Sequence, residues 1–207
     1  MSNRRAATLP VRFFRRPADE VARELIGCVV VSRLGEALTA ARIVETEAYL
    51  GVDDPASHAW KGRRNAQNDA IYGAPGTWYV YRSYGIHWCA NLVCLQEGIA
   101  AAVLLRALEP LEGLEVMRAR RGGVADRLLA SGPGRVTMAL GITRALDGLP
   151  MRTSGLTVHA AERVPLVTTT ARVGITRAVE WPLRFVETGS PWASGPRFRS
   201  PRGPRQG

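Results

Sequence analysis

The stretch TWYVYRSYGIHWCAN, residues 77–91, reads as two short extended segments about a tight turn. Residues 78–81 and 86–95 are rich in aromatic and β-branched side chains, and Arg82-Ser83-Tyr84-Gly85 between them outlines a hairpin. Working outward, residues 28–32 (CVVVS) and 38–49 read as two further strands joined by a turn at 33–36, and 100–107 is an apolar strand. Helical spacing is confined to three places. Pro17 opens ADEVARELIGC, where Val21, Leu25 and Ile26 recur on one face and Gly27 is a stop. Residues 110–121 follow a proline start, and 135–141 follow the turn Ser131-Gly132-Pro133-Gly134. Short strands recur over 156–187, and the long polar stretch 52–74 is a functional loop with room for a short helix. Strands outnumber helices and hairpin links dominate. The expectation is an α+β protein: one compact domain over 1–195 built on a curved antiparallel sheet, with flanking helices and a protruding β-hairpin. Residues 1–10 begin a basic lead-in that reaches residue 17. Residues 196–207, rich in Pro, Gly and Arg, are expected to be a disordered tail.

Composition narrows the function. The 207 residues are 46% hydrophobic, enough for a real core, and carry a net charge of +10. That balance favours a polyanionic partner, nucleic acid before an anionic membrane surface. Of 28 Lys and Arg residues, only Lys61 is a lysine, a skew that a GC-rich genome would also produce. Chemistry through a Schiff base needs an amine, so any sugar cleavage here is expected to use water. Cys28, Cys89 and Cys94 lack CxxC spacing, and His58, His87 and His159 are scattered; neither a metal site nor a cofactor is expected. Three unpatterned cysteines suit a reducing compartment. No apolar run has membrane-spanning length, and the N-terminus lacks the apolar stretch of a signal peptide. The expectation is a monomer in the cytoplasm, associated with the nucleoid.

Several residues are candidates for chemistry. In the strand ARIVETEAYL (41–50), Glu45, Glu47 and Tyr49 share one face, and Val44, Thr46 and Ala48 the other. This pattern fits a base beside a stacking platform, but spacing alone favours a solvated face with an ordinary cross-strand ion pair. Glu45 and Glu47, about 7 Å apart along a strand, would also fit a glycosidase pair. Tyr84 falls at the hairpin tip, where a large ring either contacts a partner, such as a base step it wedges apart, or folds back on its own hairpin. Asn91 in an apolar strand is either a structural hydrogen-bonder or a reader of base edges. Arg106 interrupts AAVLLRAL and needs an anionic partner: Glu47, a phosphate or Glu109. SGPGRVTMAL (131–140) leads a glycine-rich turn into a helix, where Gly132 and Arg135 could meet a phosphate.

IVETEAYLG (43–51) with His58, PGTWYVY and YGIHWCAN (75–91), VLLRALEPLEG (103–113), SGPGRV (131–136), ARVGIT, PLRF and GSPW (171–192) occur in one order along almost the whole chain. In that order they resemble the 3-methyladenine (alkyladenine) DNA glycosylase family, the branch not built on helix-hairpin-helix motifs. The resemblance implies a monofunctional enzyme of base excision repair that acts on double-stranded DNA containing a damaged purine. It would flip alkylated or deaminated purines (3-methyladenine, 7-methylguanine, hypoxanthine, ethenoadenine) and hydrolyse the N-glycosidic bond. It makes Glu47 the general base for the attacking water and Arg106 its positioner. It makes Tyr49, His58 and Tyr81 the walls of the base pocket, and Asn91 the residue that crowds the guanine amino group. Tyr84 becomes the finger that fills the gap, with Arg63, Gly132 and Arg135 also on DNA. The family's Thr-x-Arg-Asn string is replaced by Arg-Asn-Ala-Gln-Asn at 64–68, so Gln67 stands where an arginine is expected; Trp60 and Lys61 are peculiar to this loop. The alternative is a non-catalytic damaged-DNA-binding protein of the same fold.

Overall fold

The computed structural model describes residues 6–35 and 37–195. The hairpin is present: β3 (Trp78–Ser83) and β4 (His87–Cys94) pair antiparallel from Trp78↔Leu92 to Ser83↔His87. The other strands are β1 (Val29–Ser32), β2 (Thr39–Tyr49), β5 (Ala101–Glu112), β6 (Leu156–His159), β7 (Val167–Thr170) and β8 (Arg184–Glu187). They form one curved, eight-stranded sheet in the order β3-β4-β5-β2-β1-β6, with β8 pairing β2 and β7 pairing β8. The fold is α+β, a single compact domain.

β2 organises this sheet. One edge carries β5 along nearly its whole length; the other carries β1 over Thr39–Arg42 and then β8 over Glu45–Glu47. Because side chains alternate along strands, paired residues across the sheet share a face. Trp78, Val80, Leu92, Val103, Leu105 and Ala48 face the main core. Tyr79, Val93 and Ala102 face a smaller cluster with Ala59, Ile71 and Tyr72, which seats the 52–74 loop.

The helices close the main core. α1 (Val11–Phe14) and α2 (Ala18–Glu24) lie N-terminal to the sheet. α2 starts at Pro17 with Asp19 and Glu20 in its first turn, where acids complement the helix dipole. It buries Ala18, Val21 and Ala22, and the Ala22 carbonyl accepts from Thr46 Oγ1 at 2.8 Å. Full burial of Phe14 and Leu25 stabilises the fold by about 1.5–3 kcal/mol each. α3 (Leu114–Arg120) and α4 (Pro133–Leu140) pack beyond β5. Within 52–74 the chain makes two 3₁₀ turns, Trp60–Gly62 and Asp69–Tyr72.

Three expectations need correction. Residues 110–112 are not helical; β5 runs through Pro110 to Glu112, and α3 starts only after Gly113. Pro110 is tolerated opposite Ala41, beside a register shift where the ladder is already irregular. At Gly113 (φ 75°) a Cβ would lie 2.4 Å from the Leu38 carbonyl oxygen, so glycine is required and the chain turns there. The lead-in is structured from residue 6: Thr8 bridges His159, and α1 buries Phe14. The face of Glu45 and Glu47 is not solvated, since both are fully buried. The 196–207 tail lies outside the described residues.

Candidate active site

Five residues from five separate segments of sequence form one transverse row: Tyr79 opposite Asn91, Asn91 opposite Leu104, Leu104 opposite Glu47, and Glu47 opposite Arg184. All therefore face one side of the sheet. Two register shifts between β2 and β5 leave Val44 and Arg106 without an opposite residue. An unpaired strand residue re-aims its side chain, and here the Arg106 guanidinium turns onto the glutamates. Beyond Leu104, β5 has no β4 partner. Residues 130–132 take that edge: Leu108 N–H donates to Ala130, and Gly132 N–H to the Arg106 carbonyl. The SGPG turn thus braces Arg106.

Glu47 is held at both oxygens. Oε2 accepts from the Tyr49 hydroxyl at 3.0 Å and from Arg106 Nη1 at 3.3 Å, while Oε1 accepts from the Val173 N–H at 2.8 Å. Arg106 Nη1 also reaches the Val173 carbonyl at 3.4 Å. Burial pushes the Glu47 carboxyl above the usual glutamate range; the charge of Arg106, the Val173 N–H and the Tyr49 hydroxyl pull it back, and Glu45 pushes the same way as burial. Tyr49 is raised, first by burial and then by Glu47, so its hydroxyl stays protonated and donates.

Glu45 is committed elsewhere. Oε1 accepts from Arg106 Nε at 3.0 Å, Arg184 Nε at 2.7 Å and Ser194 Oγ at 2.9 Å, and Oε2 accepts from Ser194 N–H at 2.5 Å. With both oxygens taken up by donors of the protein itself, Glu45 is not free to serve as the second carboxylate of a glycosidase pair with Glu47.

Above Tyr49 opens a cavity of about 1110 Å³ lined by Tyr49, His58, Tyr79, Tyr81, Asn91 and the 3₁₀ turns of the loop. Tyr79 and Tyr81 stack at 5.4 Å, and His58 stands edge-on to Tyr81 at 4.4 Å. His58 Nδ1 is 2.7 Å from the Tyr79 hydroxyl. Burial, and then nearby Arg63, lower the His58 pKa below the ordinary imidazole value. Asn91 is buried, donates Nδ2 to the Tyr79 carbonyl at 3.0 Å, and also lines the cavity. The rim carries Arg63, Arg82, Arg144 and Arg177, and no Asp or Glu is among the lining residues. The site therefore combines a flat aromatic interior, a cationic mouth and a carboxylate beneath the floor.

The hairpin tip borders this mouth. Tyr84 is 88% exposed, so its ring is not folded back. Its φ of 49°, with 67° at Gly85 and an Ile86 N–H bond to the Ser83 carbonyl, gives the handedness of a type I′ turn. Gln67 lines the cavity and donates its N–H to Asn65. Gly132 and Arg135 do not line it, and Arg135 Nη1 donates to the Ser131 carbonyl.

Sequence reasoning missed the supports. Val173 closes Glu47 from a distant loop. Arg172, with Nη1 and Nη2 on Asp54 at 2.5 and 2.8 Å, lies over the Tyr49 ring at 4.8 Å and holds the wall from behind. Asn68, buried, donates to the carbonyls of His58 and Arg63 and pins the loop. The signal for Arg172 and Val173 was their place in the ARVGIT motif, which does not name their partners more than a hundred residues away; Asn68 carried no signal beyond its place in a polar loop.

A cationic rim around a stack of aromatic rings has the shape and charge to accept a flat ring attached to an anionic chain. The chain belongs to the methylpurine-DNA glycosylase (MPG) family, whose model matches residues 12–191. It is 48% identical to a protein of Rhodopseudomonas palustris over 89% of each chain. A protein of Chlorobaculum parvum is 45% identical over 96% of each chain. One from Methanoculleus marisnigri is 47% identical over 90% of this chain and 98% of its own. All three carry the name "Putative 3-methyladenine DNA glycosylase". The chain is thus a DNA glycosylase by family, a hydrolase of N-glycosyl bonds. Among the described residues no helix is long and apolar enough to cross a membrane.

Proposed function

We propose that this protein excises alkylated purines from duplex DNA by hydrolysis, leaving an abasic site, with Glu47 as the base for the attacking water. The observation that carries this reading is the hydrogen bond from Tyr49, a wall of the aromatic cavity, to the buried Glu47 carboxylate at 3.0 Å. The bond to be cut lies inside the helical stack, so the nucleotide must be extruded, at a cost of a few kcal/mol that is smallest for a damaged base. Tyr49, His58, Tyr79 and Tyr81 receive the purine. An alkylated purine is cationic, and a cation over aromatic faces gains about 0.5–2 kcal/mol. Asn91, in the same wall, crowds an exocyclic amino group and disfavours guanine. Tyr84 fills the vacated space, and Arg63 contacts the backbone at the rim.

In the reaction, water held by Arg106 and the Val173 carbonyl gives a proton to Glu47 as its oxygen bonds to C1′. The C1′–N bond breaks, and its electron pair leaves with the purine, neutralising the alkylated base. Neutral bases such as hypoxanthine also need a proton on the leaving ring. A lyase route needs an amine at the sugar. Lys61, the sole lysine, does not line the cavity and has its ammonium over the Trp60 ring.

Glu47→Gln keeps the shape and removes the base. Single-turnover excision of 3-methyladenine is expected to fall by at least 10²–10⁴-fold, the range general-base catalysis supplies, while lesion binding persists. Wild-type excision by that variant removes Glu47 from the mechanism. Absence of abasic sites with wild-type protein, despite tight lesion binding, favours the non-catalytic reading.

A further inference from the structure

The mouth of the cavity holds a cationic arrangement that the excision chemistry does not use. We propose that Lys61 and Arg177, both drawn over the Trp60 indole, form a clamp for a DNA phosphate beside the extruded nucleotide. The proposal rests on the reading that a purine nucleotide enters the cavity. Lys61 Nζ lies 4.6 Å and Arg177 Cζ 4.2 Å from the Trp60 ring centroid. Both cations are exposed, and Trp60 and Arg177 line the cavity. Like charges gathered on one ring repel, and at an exposed site the indole offsets that repulsion only weakly. The arginines behind the cavity are neutralised, Arg106 and Arg184 by Glu45 and Arg172 by Asp54, and Arg144 at the rim pairs with Asp147; Arg63 and Arg82 also line the rim, but only Lys61 and Arg177 share one ring. Neither Lys61 nor Arg177 has a carboxylate partner among the described residues. Two cations without a counter-ion, at a rim without carboxylates, call for an external anion.

The backbone supports the same use. Lys61 has φ 57°, a left-handed conformation that is unfavourable for a non-glycine residue. It is held there by its N–H bond to the Val52 carbonyl at 2.9 Å. Each half of the clamp is also tied to the site. Trp60 follows the pocket residue His58 by two positions, and Arg177 follows Val173, which bonds Glu47, by four. A purine seated between Tyr49 and Tyr81 keeps its C1′ at the water beside Glu47 and carries its flanking phosphates toward the mouth, which Trp60 and Arg177 line.

Counter-ion release makes the test quantitative, since each lost phosphate contact lowers the slope of log affinity against log salt by about 0.9. The double variant Lys61→Gln/Arg177→Gln should show a slope shallower by about 0.9, so that wild type loses about 3.5-fold more affinity between 50 and 200 mM salt. As the only lysine, Lys61 also reports directly. An amine-reactive reagent should label it in the free wild-type protein and be blocked when lesion duplex saturates the site. An unchanged slope in the double variant, or full labelling of Lys61 in the saturated complex, overturns the clamp and leaves the excision reading standing. Wild-type protein that binds no duplex and releases no purine overturns both.

Discussion

Arg106 is shared between two glutamates of one strand: Nε donates to Glu45 at 3.0 Å and Nη1 to Glu47 at 3.3 Å. Glu45 is thereby the anchor that lets Arg106 reach Glu47. Removing its carboxylate deprives Arg106, Arg184 and Ser194 of a common acceptor in a fully buried place. Glu45→Ala is expected to cost about 3–5 kcal/mol, the penalty for breaking a buried ion pair from one side. Urea unfolding measures it, and a loss below about 1 kcal/mol would show that the network relaxes around the gap.

The same pair sets a pH dependence. Glu47 is raised chiefly by burial and lowered by Arg106, and a base works only when ionised. The acid limb of kcat/KM should therefore lie above the ordinary glutamate value of about 4.3, with activity rising as pH rises through it. Arg106→Gln removes the lowering charge and should move the limb to still higher pH. Linkage has the opposite sign for stability. A raised folded-state pKa favours the protonated form, so this group's stabilisation is present below its unfolded pKa and lost as pH rises through the folded one. A limb that stays put in the Arg106 variant would mean another group limits the rate.

At the hairpin tip, stability and function should separate. Tyr84 is 88% exposed and has φ 49°, a conformation that glycine adopts freely. Relief of about 1–2 kcal/mol is offset by about 0.5–1 kcal/mol of glycine entropy. Tyr84→Gly is thus expected to leave Tm unchanged or raised by a few degrees, while affinity for lesion duplex falls. Equal loss in Tm and affinity would show that the ring supports the fold rather than the DNA.

β3 is an edge strand, and Asp147 with Arg144 supplies what a neighbouring strand would. Asp147 Oδ1 accepts from the Val80 N–H at 2.7 Å, and Arg144 Nη1 donates to the Val80 carbonyl at 3.2 Å. Val80 lies between the cavity rings Tyr79 and Tyr81. Asp147→Ala should cost about 1–3 kcal/mol for the orphaned N–H and raise KM more than it lowers kcat. An effect on kcat alone would place Asp147 in the chemistry rather than behind the wall.

Much of this was legible in the chain. Alternation and turn chemistry marked β1 through β4 and the start of β5 within one or two residues, because both are local properties of the backbone. The helix start assigned to Pro110 failed because proline marks strand irregularities as well as helix beginnings, and the neighbouring register shift is invisible in sequence. The shared face of Glu45, Glu47 and Tyr49 was readable, but its burial was not. Burial came from β8 and the Ser194 segment covering β2, partners about 140 and 149 residues distant. Tyr84 at the tip was readable as a position, and whether its ring points outward required the turn geometry.

By itself, then, the sequence determined the local elements, the basic charge, the scarcity of amines and the ordered motifs that mark the family. Only the tertiary structure decided which residues meet. The row Tyr79, Asn91, Leu104, Glu47 and Arg184 is set by inter-strand register, and the aim of Arg106 is set by a register shift within it. Register depends on packing summed over the whole sheet, and a slip of one residue would turn Glu47 to the opposite face. That is why the carboxylate could be named from the chain, whereas its burial, its partners and its place beneath an aromatic cavity could not.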